Sequence, residues 1–255
     1  MIVRTEAVVL KSLDYGETSQ IVTLFTREKG RLAVMAKGAR RTKSKFGATL
    51  QPMAYTQVVF YHRDTRGLQT LSESAHLEPL LGIRRDLQKI TLGLRIVELV
   101  YALTEEEDPQ PSVFRLLAGA LRTLDAATAR PANVLPYFQL RFAGALGFAP
   151  AFEKGDVEAL PGEGGVLALG SGHLHPADEA PKAGQRASRA ALRAFAVFAR
   201  ADLADVMRMD LTPAHRREVQ ALADDYLRYH VEDAFPDRSA KVTAHLFTEG
   251  EQERD

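Results

Sequence analysis

Through the first 80 positions apolar residues alternate with polar ones, and beyond Pro79 they fall mostly at helical spacing. Short runs rich in Val, Thr and aromatics have the period of two that turns successive side chains to opposite faces of a sheet: Glu6 to Leu13, Ser19 to Thr26, Arg31 to Lys37, Pro52 to Arg63 and Leu68 to Ser74. They predict five strands. Asp14-Tyr15-Gly16-Glu17, Arg27-Glu28-Lys29-Gly30 and Asp64-Thr65-Arg66-Gly67 lie between them, each with a glycine suited to a tight turn. The third and fourth strands are separated by the longer segment Gly38 to Gln51. Five short strands with one long connection fit a small barrel of the OB type, and on periodicity alone an SH3-like barrel fits almost as well.

The later pattern predicts helices. Asp86 caps one that runs to about Thr104 with Leu87, Ile90, Leu94, Val97 and Tyr101 on one side. Ser112 caps a second through Leu124, and Pro131 sits in the first turn of a third that ends near Gly147. Two more are expected from Ser188 to about Met207 and from Thr212-Pro213 to about His230, while Glu105 to Asp108 and the neighbouring prolines read as a loop. From Ala149 to Ala180, six Gly and three Pro with only short apolar pieces point to a strand-and-turn insertion. The fold class is therefore α+β: a barrel domain at 1–80, a mainly helical domain at 81–240 with an insertion at about 149–180, and a polar tail at 241–255 that frays from Glu249 on.

Charge changes this picture more than composition does. The chain of 255 residues balances 33 Lys+Arg against 33 Asp+Glu, but residues 1–80 hold 12 basic and 7 acidic groups. From Arg27 to Lys45 eight cations (Arg27, Lys29, Arg31, Lys37, Arg40, Arg41, Lys43, Lys45) face a single acid, Glu28. The absence of cysteine removes disulfides, thiol nucleophiles, iron–sulfur ligation and every Cys-based zinc site. No apolar run approaches the ~20 residues a membrane span needs, and the apolar patch Val8 to Leu10 is too short for a signal-peptide core, so a protein that stays where it is made is expected.

Catalytic patterns are missing. Gly38-Ala39-Arg40-Arg41-Thr42-Lys43-Ser44 has Thr42 where a P-loop needs its second glycine. The glycines at 162 to 172 lack the strand-turn-helix setting of a dinucleotide site. His173-Leu174-His175 has no thiolate to complete a zinc site and reads as loop histidine. No Gly-x-Ser-x-Gly elbow or His-Glu-x-x-His helix occurs, and the expectation is a protein that is not an enzyme and holds no metal or cofactor. The basic segment carries the functional argument: on a small barrel, cations gathered in one trough with aromatics beside them bind single-stranded nucleic acid by phosphate neutralisation and base stacking. Of Tyr15, Phe25, Phe46, Tyr55, Phe60 and Tyr61, at least four are expected in the core. Three other readings remain open: a basic loop that is merely solvated, a scaffold whose barrel docks an acidic peptide, and a hydrolase of novel type.

The order of the pieces resembles the RecO family of bacterial recombination mediators over nearly the whole length. The resemblance lies in Glu6 to Lys11, Asp14-Tyr15-Gly16-Glu17, Ile21 to Thr26, Gly30, Lys37-Gly38-Ala39-Arg40-Arg41, Ser44, Phe46, Leu50-Gln51-Pro52 and Gly67-Leu68. Further on it lies in Leu135 to Arg141 running into Leu146-Gly147-Phe148-Ala149-Pro150, and in Tyr226 to His230 with Arg238-Ser239. It implies an OB barrel joined to a helical domain, and a non-enzymatic protein of DNA repair and recombination. Such a protein binds single- and double-stranded DNA, anneals complementary strands, and with RecR helps load the RecA-type recombinase onto DNA coated by single-strand-binding protein. It also implies a bacterial cytoplasmic, nucleoid-associated location and no membrane partner. Carried over to this chain, the DNA-contacting residues are Lys37, Arg40, Arg41, Lys43 and Lys45, with Arg27, Lys29 and Arg31 as neighbours. Many members hold zinc through two Cys pairs after the Leu-Gly-Phe segment; Phe152 to Ala180 has none here, and a small apolar patch of Val166, Leu167 and Leu169 is expected to replace it.

Overall fold

Five strands close into a barrel in the order β1-β2-β3-β5-β4: β1 Ile2–Tyr15, β2 Ser19–Thr26, β3 Gly30–Ala36, β4 Tyr55–Tyr61 and β5 Leu68–Glu78. The computed structural model describes residues 1–179 and 181–236; Ala180, the pair Arg238-Ser239 and the tail at 241–255 lie outside the described residues. All pairings are antiparallel except the closure, where Ala33, Val34 and Met35 lie beside Leu68, Gln69 and Thr70 in parallel. That parallel seam makes the barrel OB-type rather than SH3-like. β1 starts four residues earlier than its pattern predicts and serves two neighbours, β4 through Ile2 to Val8 and β2 through Ala7 to Tyr15. A register shift between Val9 and Lys11 provides the bend that lets one strand do both.

Alternation fills the barrel. In β3, Leu32, Val34 and Ala36 point inward between half-exposed neighbours, joined by Val9, Val22, Leu24, Val58, Phe60 and Leu71 from the other strands. Each such side chain contributes about 1.5–3 kcal/mol by leaving water. The β3–β4 connection also enters this core through Phe46, Leu50 and Ala54. β4 begins at Tyr55 rather than Pro52, because the chain turns through Met53 at a positive φ of 68°. Three helices pack with the barrel into one compact unit, Met1–Ala126: α1 Leu81–Arg84, α2 Leu87–Leu103 and α3 Pro111–Ala126. The period of the sequence thus changes near residue 80, whereas compactness divides the chain at Ala126. The Asp86 carboxylate caps α2 by accepting from the Lys89 N–H at 3.1 Å. α3 starts at Pro111, one residue before the expected cap Ser112; the Gln110 carbonyl already accepts from the Phe114 N–H, and Pro111 has the preset φ of a first helical residue.

The second unit begins at Ala127. Pro131 lies in a 3-10 turn, Pro131–Asn133, rather than in the helix that follows, α4 Val134–Ala145. α4 ends in a Schellman turn: Gly147, at φ 94°, donates to the Gly144 carbonyl and Phe148 donates to the Ala143 carbonyl. The insertion is longer than the glycine pattern predicts and contains a helix. It comprises α5 Lys154–Ala159 and a three-stranded sheet, β6 Gly164–Ala168 flanked by β7 Leu174–Pro176 and β8 Gly184–Ser188. Val166 and Leu167 of β6 are buried, as is Phe152, which stacks on Phe195 at 5.6 Å. The Arg189 guanidinium gathers three carbonyls from the last turn of α5 and the loop after it, donating to Glu158 at 3.1 Å, to Leu160 and to Gly162 at 2.6 Å.

The predicted helix from Ser188 is two helices, α6 Arg189–Arg200 and α7 Leu203–Arg208. Asp202 interrupts them with extended backbone (ψ 149°), and its carbonyl accepts from the Asp205 and Val206 N–H groups, the position Asp favours at a helix start. Ser188 caps α6 and Thr212 caps α8, Pro213–Val231. The two C-terminal segments of the family resemblance meet here: Tyr226 donates to the Phe148 carbonyl at 3.0 Å and His230 stacks on the Phe148 ring at 4.7 Å. Among the described residues no helix is long and apolar enough to cross a membrane.

Candidate nucleic-acid interface

Five of the eight cations of the basic segment sit on one loop. Lys37, Arg40, Arg41, Lys43 and Lys45 belong to the β3–β4 connection, and all five are exposed. Their backbone is held from below. Phe46 is buried in the barrel core, its N–H donates to Ser44 Oγ, and its carbonyl accepts from the Thr49 hydroxyl and the Thr49 N–H. Two short turns, Ala36 to Ala39 and Gly38 to Arg41, are closed by backbone bonds, and the Arg40 N–H reaches the Thr18 carbonyl at 2.9 Å. A buried aromatic anchor below and cations above is the arrangement that projects charge into water without folding cost to the charges themselves.

Arg40 plays a different part from its neighbours. Its guanidinium lies 3.2 Å from an Asp14 carboxylate oxygen and donates to the Gly16 and Glu17 carbonyls, fastening the loop to the β1–β2 hairpin. Lys45 lies over the Phe46 ring at 5.3 Å. Among the described residues, Lys37, Arg41, Lys43 and Lys45 enter no ion pair, so their charge is available to a ligand.

Arg27, Lys29 and Arg31 are elsewhere, and the expected single trough does not form. The pairings Thr26 with Gly30 and Gln20 with Ala36 place them at one end of β2 and β3 and the basic loop at the other. The seven residues of β3 separate the two groups by roughly 20 Å. Arg31 is largely covered: it donates to the Thr104 carbonyl at 2.9 Å, lies 3.4 Å from Glu106 and stacks over Tyr101. Arg27 approaches Glu6, whose other oxygen accepts from the Tyr55 hydroxyl. Burial and the Glu6 carboxylate together push the Tyr55 phenol up to about 12. The acidic stretch after α2 therefore covers this end of the barrel. Gly30, at φ 63°, lies so close to Asp108 that a Cβ there would meet its carbonyl oxygen at 2.1 Å.

Four of the six aromatics are buried, the number expected: Phe25, Phe46, Tyr55 and Phe60 are in the interior, and Tyr15 and Tyr61 are exposed. Tyr15 ends β1 at the hairpin that Arg40 grips. Two further cations, Arg63 and Arg66 of the β4–β5 turn, were outside the expected set; they are exposed beside Tyr61. Their signal in the sequence is two arginines flanking a short Asp-Thr turn, too sparse to stand out beside the eight. Among the described residues no group of three or more His, Asp or Glu is placed to hold a metal ion, and His173 precedes β7 with its Nδ1 3.1 Å from the Ser171 carbonyl.

Comparison with known proteins adds to this geometry. Residues 1–80 match the family model described as Recombination protein O N terminal, and residues 84–239 match Recombination protein O C terminal. The chain is 62% identical over 245 residues to the DNA repair protein RecO of Salinibacter ruber, covering 96% of this chain and 94% of that protein. It is 30% identical to the protein of the same name from Chloroherpeton thalassium, over 95% of this chain and 98% of the other. The figure for Streptomyces coelicolor is 33%, over 90% and 94% respectively.

Proposed function

The chain belongs to the RecO family of DNA repair proteins, and from that premise we propose that it is a non-catalytic recombination mediator that captures single- and double-stranded DNA and anneals complementary strands. In this reading it works in the bacterial cytoplasm on the nucleoid. With RecR it helps load the RecA-type recombinase onto DNA coated by single-strand-binding protein. The observation that carries the reading is the β3–β4 loop, with four unpaired cations and Arg40 within nine residues over a buried Phe46. Annealing requires no covalent step. A cationic surface that holds two strands lowers phosphate repulsion and raises their local concentration, after which base pairing supplies the free energy.

Arg41→Glu with Lys43→Glu and Lys45→Glu tests the loop while leaving the Arg40 contacts in place. If the five cations each neutralise a phosphate, the logarithm of single-strand affinity falls with the logarithm of salt at a slope of about −3.5, and the variant flattens it by about 2. Annealing is expected to stop while the thermal midpoint holds. A variant that anneals like the parent would remove the loop from the mechanism.

A further inference from the structure

The barrel carries a second place where aromatic surface and cations meet. β5 begins at Leu68, level with Ala33, and runs parallel to β3 toward the basic loop, so the β4–β5 turn that precedes it lies toward the other end of the barrel. There Ile2 of β1 pairs with Tyr61 of β4, and Tyr61 pairs with Thr70 of β5, one row across three strands. Ile2 is 65% and Tyr61 51% exposed. With Leu68 they line an open cleft of about 420 Å³, and Arg63 and Arg66 stand in its wall.

The turn is held in shape from inside. Gln69 is 2% exposed; its side-chain oxygen accepts from the Arg63 N–H at 2.9 Å, and its amide donates to the Arg63 and Arg66 carbonyls. Among the described residues neither guanidinium enters an ion pair, while Asp64, the acid between them, lies 3.2 Å from Nδ1 of the buried His62. An apolar platform of this kind, rimmed by two unpaired cations, complements a ligand that is planar and apolar in one part and anionic in the next. A nucleotide of an unpaired strand has those parts, and base stacking on aromatics with phosphate pairing beside it is how single strands are held. The cleft volume falls in the range that encloses a group of that size.

We propose that this cleft seats a second single strand, one base stacked on the Tyr61 ring and the flanking phosphates paired by Arg63 and Arg66. The inference rests on the DNA-binding reading above and adds to it a contact that the basic loop does not supply. One barrel then holds two strands at separated places, the condition for bringing complementary sequences together on a single protein.

The full-length chain is compared with three variants: Tyr61→Ala with Arg63→Glu and Arg66→Glu, the loop variant described above, and Tyr61→Trp. Single-strand binding is followed with an oligothymidylate containing one 2-aminopurine, whose emission is quenched on stacking, and annealing is followed separately. The cleft variant is expected to keep loop-dependent binding, lose the quench and anneal about tenfold more slowly; Tyr61→Trp keeps both. The loop variant is expected to retain weak binding with the quench. Because Tyr61, Arg63 and Arg66 are exposed, these changes leave the core untouched. Normal annealing and quench in the cleft variant, with the loop variant inert, would overturn the cleft and leave the proposed function standing. A cleft variant that binds DNA normally but loses capture of a polyglutamate peptide would also overturn it, in favour of a protein partner. A parent chain that binds no oligonucleotide would sink both.

Discussion

Gly30 is fixed both by its own backbone and by the chain packed against it. Its φ of 63° is a left-handed conformation that costs an L side chain about 1–2 kcal/mol, and a Cβ would also collide with the Asp108 backbone. Gly30→Ala is therefore expected to destabilise the protein by at least about 2 kcal/mol, read as a fall in the urea midpoint at constant slope. It should also loosen the acidic stretch that covers Arg31. The commitment of Arg31 was not legible in the sequence, because its partners, Thr104 and Glu106, are more than 70 positions away and only the closed barrel brings them together. The exposed cations were legible for the opposite reason. Lys37, Arg41, Lys43 and Lys45 lie between the last inward residue of β3 and the buried anchor Phe46, so local pattern alone decides where they point.

Among the elements, those whose limits are set by neighbours in sequence read most clearly. β2 has the bounds its residues predict, Ser19 to Thr26, and α2 and α8 start at the caps that Asp86 and Thr212 provide. Those set by tertiary pairing do not: β5 continues past Ser74 to Glu78 because β4 offers it partners as far as Tyr55, and nothing in its own residues marks that end. The insertion is the clearest case. Its glycines announce turns, but its order comes from Arg189, which binds three carbonyls, and from Arg193, which grips Glu158 through two bonds of 2.9 Å. The Arg193 guanidinium holds the Glu158 carboxyl below its usual range. Arg189→Met, which keeps the length but removes the donors, is expected to cost roughly 2 kcal/mol and to raise hydrogen exchange in residues 158 to 163, while a chelator leaves the parent protein's melting curve unchanged.

At the scale of the whole molecule, a histidine and a tyrosine in each compact unit are displaced in the same sense, and burial raises Tyr137 of the second unit as well. Burial lowers His76, aided by Arg84, and burial lowers His230; burial raises Tyr55 and Tyr226 to about 12. A histidine kept neutral by the fold binds its proton more readily when unfolded, so stability falls as pH drops below about 6.5 and the loss ends once the folded value is passed. A tyrosine kept protonated ionises more readily when unfolded, so stability falls again between pH 10 and about 12. Thermal midpoints across pH should therefore form a plateau with two shoulders. His76→Gln and His230→Gln are each expected to soften the acid one, whereas Asp225, raised by burial, acts in the opposite sense at lower pH. The charge of the chain is partitioned as well: the excess of 12 basic over 7 acidic groups lies in residues 1–80, within a protein whose total is zero.

A guanidinium tethered by its own backbone cannot dissociate, be stripped by a competing ligand or be released when a sulfur is oxidised. The three bonds by which Arg189 gathers its segment therefore last for as long as the chain stays folded.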